Sequence, residues 1–275
     1  MRMDVTGMII KDEAFTKESF KLERDKLGVL ATKPKPKDLT KYYEFEDYIS
    51  HKESSNSLVD IGYDLVKSLM FNTKLKILKR NQPDIKSVLD YGCGTGEFVS
   101  YLSKKGIISS GVEPTKKAFD QAEKAEVKIY KNLKKVEGTF DAITLFHVLE
   151  HVEDYLKVLE DLKAKLNPGG LLVIAVPNYK SYDASYYKEK WAAWDVPRHL
   201  WHFKKQDLST IAHLLNLEIV QIKPMFFDAY YISMISESYK GNHKLKGLYR
   251  GWESNQQAKK SGEYSSNIFV MKTSK

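Results

Sequence analysis

The chain has 275 residues, 42% hydrophobic and 29% charged, with 44 Lys and Arg against 36 Asp and Glu and a formal net charge of +8. That length and mixture fit a soluble globular chain, with one large domain or a core domain plus a small addition. A single cysteine, Cys93, excludes an internal disulfide framework and fits a reducing compartment.

The opening MRMDVTGMIIKDEAF has no apolar run of signal-peptide length, and no stretch approaches the ~20 apolar residues of a membrane span. The expected location is therefore cytoplasmic, with no membrane partner. The lysines are scattered among acids, as on a solvated surface, so nucleic acid is not the expected partner.

Residues 1–50 read as an irregular extension. Pro34 and Pro36 favour an extended path, and Tyr42, Tyr43, Phe45 and Tyr48 suit packing of that extension onto a domain. Residues 51–84 form a helical lead-in, with Leu58, Ile61, Leu65 and Leu69 at helical spacing. From residue 85 strands and helices alternate. SVLDY, SSGVE, VKIY, FDAITLF and LLVIAV read as strands, and FVSYLSKKG, TKKAFDQAEKA and EDYLKVLEDLKAKL as helices. LEIVQI and NIFVMK add two late strands around the helical FFDAYYISMISESYK. This order predicts an α/β Rossmann-like sheet of seven strands, mostly parallel, with helices on both faces and the last strand antiparallel. Residues 85–275 form that domain, with an aromatic flap at 179–203.

The strand SVLDY runs into Gly92-Cys93-Gly94-Thr95-Gly96 and then a helix. Glycines let the backbone turn sharply and approach a ligand, and the helix beyond offers free N–H groups and a positive dipole end. In open α/β sheets ligands lie at the carboxyl ends of the strands, where this loop sits. A dinucleotide loop needs G-x-G-x-x-G, but here the third glycine comes one residue early and Glu97 stands in its place. Glu113, at the end of the next strand, is placed to accept both hydroxyls of a ribose.

VLDYGCGTGEF followed by GVEP resembles the first two motifs of class I S-adenosylmethionine (SAM)-dependent methyltransferases. FDAITLFHVLEHVED and LNPGGLLVIAVPN resemble their fourth and fifth blocks, and the nearest branch is that of the small-molecule, ubiquinone-biosynthesis O-methyltransferases. The resemblance implies SAM as cofactor, S-adenosylhomocysteine (SAH) as product and O- or C-methylation of a small organic acceptor. It implies that Asp90, Gly92, Cys93, Gly94 and Gly96 surround the methionine part, and that Glu113 takes the ribose. Pro114, Asn132 and Leu133 then lie near the adenine, and Phe146 and His147 beside the methyl group. Alternatives from other classes are a SAM-binding protein without catalysis, an RNA methyltransferase and a nicotinamide-dependent oxidoreductase. The [DNS]-P-P-[YF] block of amino-methylating nucleic-acid enzymes is absent. The oligomeric state is left open.

His147-Val148-Leu149-Glu150-His151 also matches the H-x-x-E-H zinc signature. That motif needs a helix across its whole length, whereas His147 directly follows a strand. The methyltransferase reading needs no metal, so none is expected.

The flap carries Trp191, Trp194 and Trp201 interleaved with Asp195, Arg198, His199 and His202. Lying after the fifth strand, it is expected to overhang the acceptor, with Trp191, Trp194, Arg198 and Tyr231 as substrate contacts. The alternative is a packed flap with Asp195 and Arg198 as a local ion pair. A base for a hydroxyl or C–H acceptor is sought in His199, then His202, then His147, because histidine titrates near neutral pH. DVPRHLWHF is similar to a block in a subset of these methyltransferases that often carries an N-terminal zinc ribbon, some members being sugar C-methyltransferases. FKLERDKLGVLATKPKP resembles the tail of that ribbon, but Arg24 and Leu27 stand where its C-x-x-C cysteines would be.

Overall fold

The computed structural model describes residues 4–39, 41–42, 58–124 and 127–273. Tyr43, Phe45 and Tyr48 lie outside these residues. The largest element is a seven-stranded sheet built from β4 (Ser87–Tyr91), β5 (Ile108–Val112), β6 (Ile129–Tyr130), β7 (Phe140–Phe146), β8 (Leu166–Pro177), β10 (Leu217–Pro224) and β11 (Ser266–Thr273). Its order is β10-β11-β8-β7-β4-β5-β6. β6, β5, β4, β7 and β8 run parallel, and β11 is antiparallel to both β8 and β10. The expected seven-stranded sheet with an antiparallel end is thus found.

Strand period explains how the sheet is covered. Successive residues face opposite sides, so Val88 and Leu89, Ala142 and Ile143, and Val173 and Ile174 each enter different cores. On one face Val88, Ala142 and Val173 meet Leu75 and Leu78 of α1 (Leu58–Asn81) and Phe98 and Leu102 of α2 (Glu97–Lys104). On the other, Leu89, Ile143 and Ile174 meet Leu159 and Leu162 of α4 (Tyr155–Lys163) and Leu208 and Ile211 of α6 (Lys205–Leu214). The intervening α3 is Lys116–Lys124, and α5 is Tyr182–Tyr187. The edge strand β10 begins at buried Leu217 and then alternates exposed and half-buried positions to Lys223, as one covered face requires.

Two features depart from the sequence reading. First, the extension expected to be irregular holds β1 (Ile9–Lys11), β2 (Ser19–Arg24) and β3 (Leu30–Lys33). With β9 (Trp201–His202) they make a second, antiparallel sheet in the order β1-β2-β3-β9. These strands are short and lysine-rich, and their apolar residues (Ile10, Phe20, Leu22, Leu30) bury against Tyr179, Trp191 and Trp194 rather than against one another alone. The tip of the β2–β3 hairpin, where the ribbon cysteines would stand, is held by Asp25. Its Oδ1 accepts from the backbone N–H of Leu27 and of Val29, and its Oδ2 accepts from Tyr155 Oη at 2.7 Å.

Second, a helix not anticipated, α8 (Lys246–Ser261), packs on α7 (Phe226–Tyr239). Gly247 and Gly251 bring the two backbones together: a Cβ at these positions would lie 2.4 Å from Met234 Cα and 2.5 Å from Tyr230 Cα. Two glycines weaken a helical pattern when it is read in isolation.

Candidate active site

The glycine loop joins the end of β4 to α2. Gly92, Gly94 and Gly96 all have positive φ, at 75°, 53° and 75°, a region that residues with a Cβ enter only at a cost. The three differ in what surrounds them. A Cβ on Gly92 would lie 2.4 Å from Val148 Cγ2, whereas a Cβ on Gly94 meets nothing within 4 Å. Gly92 is needed for packing, and Gly94 presents bare backbone to open space. Gly96 begins α2 as its N-cap without any side-chain cap.

Two buried carboxylates flank this open backbone. Glu113 is 7% exposed at the end of β5, where its Oε2 accepts from Gly94 N–H at 3.0 Å and its Oε1 from Thr115 N–H at 2.8 Å. Asp90 is 6% exposed, pairs in register with Thr144 of β7, and accepts a hydrogen bond from Thr144 Oγ1 at 2.5 Å. Burial pushes the Asp90 carboxyl up to about 6, against the pull of Lys74 and the Thr144 hydroxyl. An open glycine backbone between a ribose-reaching acid and a buried carboxylate fits the two ends of SAM. The thiol of Cys93 points instead at Gly111, where a Cβ would come 2.3 Å from Sγ, and burial pushes that thiol up.

A cation that the sequence reading missed enters the same region. Lys74 of α1 sets its Nζ 3.7 Å from the Phe146 ring centroid and 5.0 Å from that of Phe98. Burial lowers its pKa, while Asp90 and Asp228 act in the opposite direction. No local motif marks Lys74, which looks like any lysine of a lysine-rich helix.

His147 stands just past β7 with a positive φ of 57°. The residues that follow form turns, and α4 begins only at Tyr155, so H-x-x-E-H is not helical. Instead, His147 Nε2 pairs with Asp228 Oδ2 of α7 at 3.0 Å, and its Nδ1 lies 3.4 Å from Glu150 Oε1. Burial opposes the imidazolium, but Asp228 and Glu150 outweigh it and raise His147 to about 10. Asp228 could be found by sequence as an acid on the late helix; its partner could not.

The flap is packed rather than open. Trp191 and Trp194 are 2% and 1% exposed. The Trp191 indole N–H donates to Asp183 Oδ2 at 2.7 Å, and that of Trp194 to the Lys188 carbonyl at 2.7 Å. Arg198 is buried, donates through Nε to Asp195 Oδ2 at 3.0 Å, and also pairs with Asp195 through Nη2. These three expected substrate contacts therefore point inward, because each indole and the guanidinium finds its hydrogen-bond partner inside the flap. Of that group only Tyr231 is exposed.

His199 and His202 are buried as well. Nδ1 of His199 donates to the Ala193 carbonyl at 2.9 Å, and Nε2 of His202 meets Thr32 Oγ1 at 2.9 Å. Burial and His151 lower His199 to about 4, and burial and His199 lower His202 to about 3. Both border a small cavity of about 10 Å³, the size of one water. Of the residues expected near the adenine, Pro114 and Asn132 are exposed, and Leu133 is half-buried in a 3-10 turn.

A family model described as a methyltransferase domain matches residues 65–222, more than half of the chain. The ubiquinone biosynthesis O-methyltransferase of Coxiella burnetii (strain Dugway 5J108-111) is 33% identical over 109 residues, covering 35% of this chain and 47% of that one. The chain thus spans about half the length of that relative. The protein of the same name from Actinobacillus pleuropneumoniae serotype 7 is 26% identical over 182 residues, 60% of this chain and 77% of the relative. Among solved structures, magnesium protoporphyrin IX methyltransferase from Synechocystis PCC 6803, with bound SAH, superposes with a TM-score of 0.56 at 14% identity, covering 86% of this chain and 97% of that one. A SAM-dependent methyltransferase from Archaeoglobus fulgidus gives 0.51 at 19% identity, covering 75% and 94%. The chain belongs to the methyltransferase domain family and has the fold of a SAM-dependent methyltransferase.

Proposed function

We propose that the protein transfers a methyl group from SAM to oxygen or carbon of a small organic acceptor and releases SAH. The observation that carries this reading is the open backbone of Gly94 held between Glu113 and Asp90. When bound, SAM supplies an electrophilic methyl carbon already activated by its sulfonium. The chain's task is then to hold, align and exclude water. Glu113 keeps lone pairs free for ribose hydroxyls beyond the two N–H groups it already accepts. With SAM bound, Asp90 would take the ammonium of its amino-acid part, and Lys74 its carboxylate. The rings of Phe146 and Phe98 hold the Lys74 ammonium over their faces.

On the acceptor side the working pair is His147 and Asp228, not His199 or His202. The latter two are buried and each has one ring nitrogen bonded within the fold, whereas His147 is partly open at the end of β7 beside Phe146. With His147 held as imidazolium, Asp228 takes the acceptor's proton as the methyl group arrives. Tyr231 lies on the same helix and is exposed, which supports its role as an acceptor contact. A small-molecule acceptor rather than nucleic acid, and a reducing cytoplasmic compartment suited to a lone thiol, complete the reading.

The test is label transfer from methyl-labelled SAM across a panel of small hydroxylated and glycosyl compounds. Asp228→Asn is expected to lower turnover on the best acceptor by about a hundredfold or more, with SAH affinity nearly unchanged. Full turnover by Asp228→Asn removes the proposed base. No transfer to any small acceptor by protein that binds SAM favours a binding protein.

A further inference from the structure

We propose that the outward face of α8 docks on an anionic lipid surface and holds the protein at a membrane. The inference stands on this helix and its flanks, and it does not depend on the methyl-transfer reading.

The polarity of α8 is the reverse of an ordinary surface helix, which turns its apolar stripe to the core and its polar face to water. The residues that α8 buries are Gly247, Gly251, Ser254, Asn255 and Ala258, all small or polar. Gly247 and Gly251 set this face against the backbone of α7 at Met234 and Tyr230.

The large apolar residues are on the opposite face. Leu245, the N-cap of α8, and Leu248, Tyr249 and Trp252 stand at i, i+3, i+4 and i+7, the spacing of one helical stripe. They are 63%, 44%, 58% and 48% exposed. The Tyr249 and Trp252 rings lie 5.8 Å apart between centroids, so the stripe carries an aromatic pair. Single exposed apolar residues are ordinary, but a continuous stripe of four marks a surface with a partner.

Charge selects the partner. Residues 240–260 hold six Lys and Arg against one acid, Glu253, and that acid is paired with Arg250 at 2.6 Å. Lys240, Lys244, Lys246, Lys259 and Lys260 are all exposed, and they bracket the apolar stripe at both ends. A second copy of the chain packed on this face would set lysines against lysines whichever way the two helices ran, since both ends are basic. An anionic bilayer answers both features. The lysines reach the headgroup phosphates, while leucine, tyrosine and tryptophan enter the boundary between headgroups and acyl chains. No described helix is long and apolar enough to cross a membrane. The expected absence of a membrane partner rested on the lack of a span, which a helix lying along the surface does not need.

The test is flotation of the full chain with vesicles of phosphatidylcholine alone and of phosphatidylcholine with about 40% phosphatidylglycerol, at low salt and at ~0.5 M NaCl. Binding to the anionic vesicles is expected, weakened by salt and at least about tenfold stronger than binding to the neutral ones. The double variant Tyr249→Ser with Trp252→Ser changes exposed positions only, so its circular dichroism spectrum and melting temperature should match wild type, while its binding to anionic vesicles falls about tenfold or more. Lys244→Glu with Lys246→Glu should lower that binding to a similar degree. Ile108→Ser, which removes a still more exposed apolar residue at the start of β5, should bind as wild type does. Wild-type chain that floats with neither kind of vesicle overturns the proposal, as does a folded Tyr249→Ser, Trp252→Ser variant that binds as tightly as wild type. Wild-type dimers in sedimentation velocity that this variant abolishes, with no vesicle binding, overturn it in favour of a second copy on this face.

Discussion

Gly92 and Gly94 share one loop and one backbone region, yet alanine at each should do different things. Gly92→Ala drives a methyl group into Val148, so it should lower stability by an amount typical of core overpacking, about 1–3 kcal/mol. Gly94→Ala meets no protein atom. It should cost only the backbone preference, ~1 kcal/mol, while blocking the surface a cofactor must approach. Thermal unfolding and SAH titration of the two variants separate these effects: Gly94→Ala binding as tightly as wild type would remove that glycine from the site.

Asp90 carries a pH signature. Its ordinary carboxyl value of 3.8 is raised to about 6 by burial, so the folded chain takes up a proton in that window that the unfolded chain does not. Its ionisation therefore costs stability in full above pH 6, and the cost disappears as pH falls towards 4. Asp90→Asn should stabilise the protein by on the order of 1–3 kcal/mol at pH 7.5, with the gain shrinking below pH 6, while weakening SAM binding. An equal change in stability at pH 4.5 and 7.5 would contradict the assignment. Asp90, Glu113 and the glycines were legible because their spacing along consecutive strands and loops is itself the motif. Lys74 beside Phe146, and Asp228 against His147, were not legible. Each pair meets only after distant helices dock on the sheet, and no local spacing records the contact.

At the level of elements, the strands buried on both faces were the easiest to read, since β7 and β8 are near-continuous apolar runs. The small N-terminal sheet escaped because three of its four strands have four residues or fewer, and one of those, β9, lies far along the chain. Its apolar residues complete a core with the flap, which explains why Trp191 and Trp194 turned inward instead of lining a pocket. In this arrangement Asp25 holds the hairpin tip by accepting from two backbone N–H groups and from Tyr155. Asp25→Ala should remove all three and destabilise the chain by about 1–3 kcal/mol, read by denaturant titration. A loss below ~0.5 kcal/mol, in the range of ordinary surface substitutions, would show that the hairpin tip needs no such support.

Across the whole molecule, the large sheet presents its carboxyl ends to the glycine loop, Glu113 and His147, and the small sheet fixes the flap. β3 pairs with β9, matching Leu30 with His202 and Ala31 with Trp201, and Thr32 Oγ1 donates to the His199 carbonyl. α1 and α7 bring Lys74 and Asp228 to the same region from outside the sheet. The central claim is that this loop binds SAM, and it is tested most directly by calorimetric titration of the purified chain with SAM and SAH, with NAD as a control and Glu113→Ala alongside. The account predicts saturable binding of one equivalent of each, no binding of NAD, and affinity roughly ten- to a hundredfold weaker in Glu113→Ala, as expected for loss of a charge-assisted hydrogen-bond pair. Folded wild-type protein that binds neither compound, or a Glu113→Ala variant that binds as tightly as wild type, would contradict it.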